Sequence, residues 1–260
     1  MLKLRCAPLD LKYDEVTQEL FMGGKKLEQQ PRLLGQIYDV LYDRLFAAVA
    51  DQKLQLYAMY RGVAANRGDE EKLRKAGLKF DITIMPPVML GKEYNKTFGH
   101  YHEAGRHTSF PELYEVLHGN VHFLLQKRKG ENGEVEEVRL LKAKEGDKIV
   151  IPAEFGHIMI NPSKKHTLIT LNALERTFRN DYKPFIDKKG GAYYEIAEGF
   201  VANKNYGKPP RIKVLKPIEM EGFPKNKCLY RIFIEDPERF MFLAAPMKLQ
   251  QAQPKPEEKH

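Results

Sequence analysis

The stretch Glu112-Leu113-Tyr114-Glu115-Val116-Leu117-His118-Gly119, preceded by His100-Tyr101-His102 and followed by His157, decides how this chain reads. Residues i and i+2 of a β-strand point to the same face, so His100 and His102 can grip one ion together. Glu112 adds a carboxylate, and His157 a third imidazole that must come from another strand to approach the ion from another side. Imidazole nitrogens with a carboxylate oxygen suit a borderline divalent metal such as iron, manganese, nickel or zinc. A His-x-His pair alone is common in strands; the companions at fixed distances give this one its weight. Glu103 adjoins His102 and Glu115 follows Glu112 by three, so on strands both carboxylates face away from the proposed ion.

Outward from this block, the chain from Lys79 onward reads as short strands broken by Gly, Pro and Asn. Phe80, Ile82 and Ile84 alternate with polar neighbours, and further strands are expected at 113–117, 121–126, 135–141, 148–151, 158–161 and 167–172. Residues 118–120 form a turn, and 127–133 form a solvated hairpin tip. Many short strands at this spacing indicate a sandwich or barrel rather than a βαβ sheet. Upstream, Pro31 opens an expected amphipathic helix carrying Leu33, Leu34, Ile37, Val40, Leu41, Leu45, Phe46 and Val49. Leu54, Leu56, Ala58 and Tyr60 alternate with Gln55, Tyr57 and Met59 in a strand, and 69–76 reads as a capped helix ending at Gly77. Downstream, 179–189 is expected to be a loop, 193–200 a strand or turn, and 211–214 and 230–234 further strands. The expected organisation is an N-terminal extension over 1–77, a barrel with C-terminal strands over 78–245, and a disordered polar tail over 246–260.

The bulk properties narrow the class. With 260 residues, 42% apolar and 30% charged, the chain is one large domain or one domain with an added layer. No run approaches the roughly 18 apolar residues of a membrane span, and the N-terminus has no secretory apolar core, so the cytoplasm is the expected address. Cys6 and Cys228 are accordingly expected to be reduced thiols. The net charge of +8 is spread along the chain among 35 acidic residues. No nucleic-acid motif accompanies it, and an anionic small substrate fits it as well.

Two spacings carry a family resemblance. His100-x-His102 with Glu112 and Gly119, then Gly146, Pro152, His157 and Asn161, resemble the paired motifs of the cupin family. The resemblance implies a mainly β fold, a double-stranded β-helix (jelly-roll) barrel with an N-terminal helical and strand extension. Ten positions separate His102 from Glu112, where the general motif allows only a few, and Glu154 stands where the second motif usually has Gly. The closer resemblance is to archaeal-type cupin glucose-6-phosphate isomerases. It rests on Thr83-Ile84-Met85-Pro86, Gly91-Lys92-Glu93, Thr97-Phe98-Gly99-His100-Tyr101-His102, the block from Glu112 to Gly119, and Val150-Ile151-Pro152 with His157 and Asn161.

That resemblance implies a metal-dependent isomerase interconverting glucose 6-phosphate and fructose 6-phosphate, working as a homodimer. It makes His100, His102, Glu112 and His157 ligands of one divalent ion, with Fe2+ the first choice and Mn2+, Ni2+ or Zn2+ the others. It places Thr83, Thr97 and Gly99 at the substrate phosphate, and Glu112 and Tyr114 at the reacting carbons. Thr83 and Thr97 read equally as ordinary strand threonines. His107 is expected in an exposed loop. The family also carries a histidine after the last core strand, whereas 174–182 here contains none. Tyr182, Tyr193 and Tyr194 are the candidates to replace it. Two other readings stay open: a different metal-dependent cupin enzyme (an oxygenase, or another sugar-phosphate isomerase or epimerase), and a non-catalytic cupin that binds a sugar or metal.

Overall fold

A computed structural model describes residues 1–102, 109–130, 133–177 and 179–244. His107, residues 131–132 of the hairpin tip and the 246–260 tail lie outside the described residues. The chain is mainly β, as expected. Two sheets carry the site. Their strands are β1 (Gln30–Leu33), β2 (Gln55–Tyr60), β3 (Leu78–Met85), β4 (Glu112–His118), β5 (Asn120–Lys129), β6 (Glu134–Lys144), β7 (Lys148–Ile151), β8 (Phe155–Ile160), β9 (Leu168–Glu175) and β10 (Ile212–Leu215). One sheet runs β7-β4-β9-β3-β2-β1 and the other β8-β5-β6-β10. Neighbouring strands are antiparallel throughout except β6 and β10. Consecutive strands β4 and β5 lie in different sheets. Gly119 turns the chain between them at φ +80°, and an added Cβ would sit 2.6 Å from the Thr167 carbonyl oxygen.

The six-stranded sheet is covered on both faces. Its inner face shares a core with the other sheet, where Tyr114, Val116, Ile149, Ile151, Leu168 and Met85 meet Phe123, Leu125, Val138, Ile158 and Ile160. Its outer face, with Phe80, Ile82, Ile84, Leu113, Ile169 and Leu171, packs under a second layer. That layer is a small four-stranded sheet drawn from residues 2–26 and a C-terminal helix, Leu229–Glu235. This explains why β3, β4 and β9 are buried at almost every position, apolar and polar alike.

Several expectations are corrected. The helix expected from Pro31 is broken into short pieces. Pro31 sits in edge strand β1 opposite Ala58, where a missing N–H costs no ladder bond, and strand-like pairing continues as Leu34 N donates to the Leu54 carbonyl. Helix returns in short pieces at Leu34–Ile37, as a 3-10 turn at Tyr38–Val40, and at Arg44–Val49, where the Asp43 carboxylate accepts from Phe46 N at 3.0 Å. Residues 230–234, expected as a strand, lie in the helix Leu229–Glu235, because one face of that segment buries Leu229, Tyr230, Ile232 and Phe233 against the sheet. The expected loop 179–189 holds a short strand, Asn180–Asp181, and a helix, Lys183–Asp187. The helix ending at Gly77 is found as Arg67–Lys75, with Asn66 as its cap and Gly77 at φ +68°.

The cysteines are also corrected. Cys6 and Cys228 form a disulfide with their Cα atoms 4.9 Å apart, both buried in the outer layer. The expected cytoplasmic address had favoured free thiols; the layer that stacks the N-terminal sheet beside the C-terminal helix brings them together. A link closing so large a loop should stabilise the fold by about 2–5 kcal/mol. Cys228→Ser, or treatment with a phosphine reductant, should therefore lower the urea midpoint, and no thiol should label in the unreduced, denatured protein.

Candidate metal centre

The segment before and through His100 runs antiparallel along the edge of β8, with bridges Lys96 to Ile160 and His100 to His157. His100 N donates to the His157 carbonyl at 3.2 Å, and His157 N returns a bond to His100 O at 3.0 Å. Strand alternation keeps His102 on the same side as His100, their ring centroids 5.3 Å apart. His157 completes the triangle, 4.5 Å from the ring of His100 and 5.4 Å from that of His102. Glu112, at the start of β4 in the facing sheet, closes the set. Its Oε2 lies 3.3 Å from His102 Nε2 and 3.5 Å from His157 Nε2. One ligand atom from each of the four residues lies within 4.8 Å of all the others.

These atoms are oriented by neighbours. His102 Nδ1 donates to the Phe110 carbonyl at 2.5 Å, which leaves Nε2 facing Glu112. Asn172, on β9, donates from Nδ2 to Glu112 Oε1 at 2.6 Å, so the other carboxylate oxygen is the one turned to the imidazoles. A hydrogen bond that fixes a ligand's rotamer and free lone pair is a usual feature of metal sites. Glu112 Oε2 and His157 Nδ1 are buried with no hydrogen-bond partner among the described residues. A buried carboxylate oxygen of that kind is expensive to leave unpaired, and a cation beside it removes the cost.

The protonation states suit a cation. Burial, with His157 and His102 nearby, holds His100 well below the usual imidazole range, and burial pushes His157 down to about 4. Burial alone would raise the Glu112 carboxyl, but its imidazole neighbours, His102 first and then His157, outweigh it and bring it below the usual value. Two imidazoles with open lone pairs and an ionised carboxylate are what a divalent ion requires. Burial and then the Glu112 charge push Tyr114 well above 10, so its hydroxyl, 3.5 Å from His157 Nε2, keeps its proton. Glu115 faces away and takes Lys148 at 3.4 Å and Leu229 N at 2.6 Å.

A cavity opens beside the four residues, walled by the inner face of the six-stranded sheet. Thr83, Thr97 and Tyr114 line it. Thr97 Oγ1 accepts from Met159 N at 3.0 Å, which leaves its own proton free to donate. Gly99, at φ +84°, has no room for a Cβ, which would fall 2.7 Å from Ile158 Cγ1 and 2.8 Å from the Phe185 ring. Of the three tyrosines considered for the absent histidine, Tyr182 lines the cavity, its ring 5.7 Å from His100 and its hydroxyl accepting from Asn180 at 2.8 Å. Tyr193 and Tyr194 donate instead to the carbonyls of Pro210 and Lys189. Glu154, where the family motif has Gly, takes φ +69°, and its N–H donates to Ser109 Oγ.

Asn172, Tyr57, Arg61 and Asn180 were not anticipated. Asn172 left a signal, as a polar residue inside the apolar run of β9. Tyr57 belongs to the polar side of the β2 alternation, which turns out to face the cavity.

A sequence profile described as Glucose-6-phosphate isomerase (GPI) matches residues 34–211, more than half of the chain. The chain belongs to the glucose-6-phosphate isomerase family. Its resemblance is to the cupin form of that family. Glucose-6-phosphate isomerase from Thermococcus litoralis is 29% identical over 96 residues, a match covering 37% of this chain and 46% of that protein. The chain thus spans about half the length of that curated relative. Among solved structures, an oxalate oxidase is 16% identical, with a TM-score of 0.33 over 49% of this chain and 52% of that one. Oxalate decarboxylase from Bacillus subtilis is 16% identical, with a TM-score of 0.32 over 46% of this chain and 25% of that one. Among the described residues no helix is long and apolar enough to cross a membrane.

Removing the Asn172 hydrogen bond should free the Glu112 carboxylate to rotate. Asn172→Ala is expected to weaken divalent-ion binding by about 10- to 100-fold, read by competition with a chromogenic chelator, with the melting temperature nearly unchanged. Glu115→Ala should do the reverse. It strands a buried Lys148 and costs about 3–5 kcal/mol in urea unfolding, with metal affinity intact.

Proposed function

We propose that this family member is a metal-dependent aldose–ketose isomerase that interconverts glucose 6-phosphate and fructose 6-phosphate. The observation that carries the proposal is the convergence of His100, His102, Glu112 and His157 within 4.8 Å, beside a cavity lined by Thr83, Thr97 and Tyr114. The reaction needs the C1 carbonyl and C2 hydroxyl held together while hydrogen moves between the two carbons. A bound divalent ion, Fe2+ first among Mn2+, Ni2+ and Zn2+, would supply Lewis acidity at those oxygens. The donor set fits such an ion, being three imidazole nitrogens and one carboxylate oxygen.

The chain's own residues would do the rest. Glu112 stays ionised and lies where it can take a proton as well as hold the ion. Tyr114 stays protonated and offers a hydrogen bond to a developing oxyanion. Tyr182 takes the place of the absent histidine as a hydroxyl donor at the cavity wall. Thr83 and Thr97 receive the phosphate, with the backbone at Gly99. We further place the enzyme in the cytoplasm as a homodimer. The exposed apolar residues Leu45 and Val49, 84% and 85% accessible on one short helix, support pairing of two copies.

Treatment with EDTA should abolish conversion of fructose 6-phosphate in a coupled assay, and one of the four metals added back should restore it under anaerobic conditions. Activity that persists in metal-free protein, or a requirement for dioxygen, would remove the proposal. His157→Ala should lose both metal and turnover while remaining folded. Thr97→Ala should raise KM for the phosphorylated sugar about tenfold with a smaller change in kcat, as expected when a contact made equally in ground and transition states is lost.

A further inference from the structure

The sheet register brings two arginines to the cavity side, Arg61 in its lining and Arg32 beside the lining residues Tyr57 and Tyr182, in different electrostatic circumstances. Arg61 lies beyond Tyr57 and Met59 on the same face of the β2 segment, and its Nη1 is paired at 2.6 Å with Asp81, a fully buried carboxylate that also accepts from Gly62 N at 2.8 Å. Its charge is answered within the protein. Arg32 sits on β1 directly opposite Tyr57, so both share the cavity face. Its guanidinium stands over the Tyr182 ring, 5.9 Å from the centroid. Arg32 is only partly exposed, its Nε is buried without a hydrogen-bond partner, and no ion pair among the described residues holds it.

A half-buried guanidinium without a counter-ion is an unfavourable arrangement unless an anion arrives. The neighbours define where that anion would lie. The Tyr57 hydroxyl accepts from Phe98 N at 3.4 Å, next to Thr97 and one residue before Gly99. Arg32 is therefore at the Thr97 end of the cavity. The planar fork of an arginine matches the oxygens of a phosphate, and hydroxyls alone supply no charge.

We infer that Arg32 is the specificity-determining counter-charge for the phosphate of the substrate, selecting phosphorylated over neutral sugars. The inference rests on the proposed sugar-phosphate reading and deepens it by assigning the charge that the threonines lack. Arg61, neutralised by Asp81, does not share the role.

The test uses the metal-loaded protein and sorbitol 6-phosphate, which cannot be isomerised, titrated calorimetrically beside sorbitol and inorganic phosphate. Arg32→Gln should weaken sorbitol 6-phosphate and phosphate binding by about 10- to 100-fold and leave the affinity for sorbitol unchanged. Arg32→Lys, which keeps the charge without the fork, should recover part of the loss, and it also serves if the Gln variant does not fold. In turnover, KM for fructose 6-phosphate should rise while kcat changes less. Equal affinity of wild type and Arg32→Gln for sorbitol 6-phosphate would overturn the inference. So would an equal loss for sorbitol, or no phosphate binding by the wild type. Phosphate binding that depends on Arg32 in a protein without isomerase activity would leave the subsite standing and remove only the proposed reaction.

Discussion

An ionised carboxylate buried to 2% exposure is the constraint around which the site is organised. Glu112 keeps its charge in a dry setting because one oxygen takes the Asn172 amide and the other faces His102 and His157. Without those partners it would protonate, and with them it is ready for a cation. His100 and His157 are the complementary half, desolvated enough to leave their lone pairs open. Every residue in the set depends on another for its protonation state or its rotamer. The four act as one unit.

That unit needs two sheets held at a fixed distance. His100, His102 and His157 come from the β8 edge of one sheet, and Glu112 comes from β4 of the other. The six-stranded sheet cannot drift, because both of its faces are packed. Phe80 and Ile82 lie under the outer helices and N-terminal sheet, and Tyr114 and Met85 lie against the inner core. Glu115 and Lys148 tie β4 and β7 to the C-terminal helix through Leu229 N, and the Cys6–Cys228 link joins the two halves of the outer layer. The outer layer thus acts on the site indirectly, by holding its wall. The exposed edge β1 and the neighbouring β2 extend that wall past the metal centre and bring Tyr57 to the cavity with Arg32 beside it.

Much of this was legible in the sequence. His100 and His102 paired by strand alternation, a local rule, and Glu112 and His157 joined them through the spacings that carry the family resemblance. Glu115 was rightly turned away by the same parity. The β-rich middle of the chain was read strand by strand. Reading failed where a segment's partner lay far along the chain. The apolar residues after Pro31 had helical spacing, but pairing with residues 52–58 took the segment into an edge strand first. Residues 230–234 had the composition of a strand, and an outer sheet face made them a helix. Cys6 and Cys228 stand 222 positions apart, with no local cue to their contact.

By itself the sequence determined the residue types able to hold a cation, the parity that sets which side chains share a face, and the turns that let strands alternate. Those follow from backbone geometry within a few residues. Only the tertiary structure decided that Asn172 would hold Glu112, that Tyr182 rather than Tyr193 or Tyr194 would reach the cavity, and that Arg32 would stand beside it with no counter-ion among the described residues. Each of these depends on which strands become neighbours in a sheet. That pairing is selected by burial of both sheet faces across the whole chain, and no local pattern encodes it.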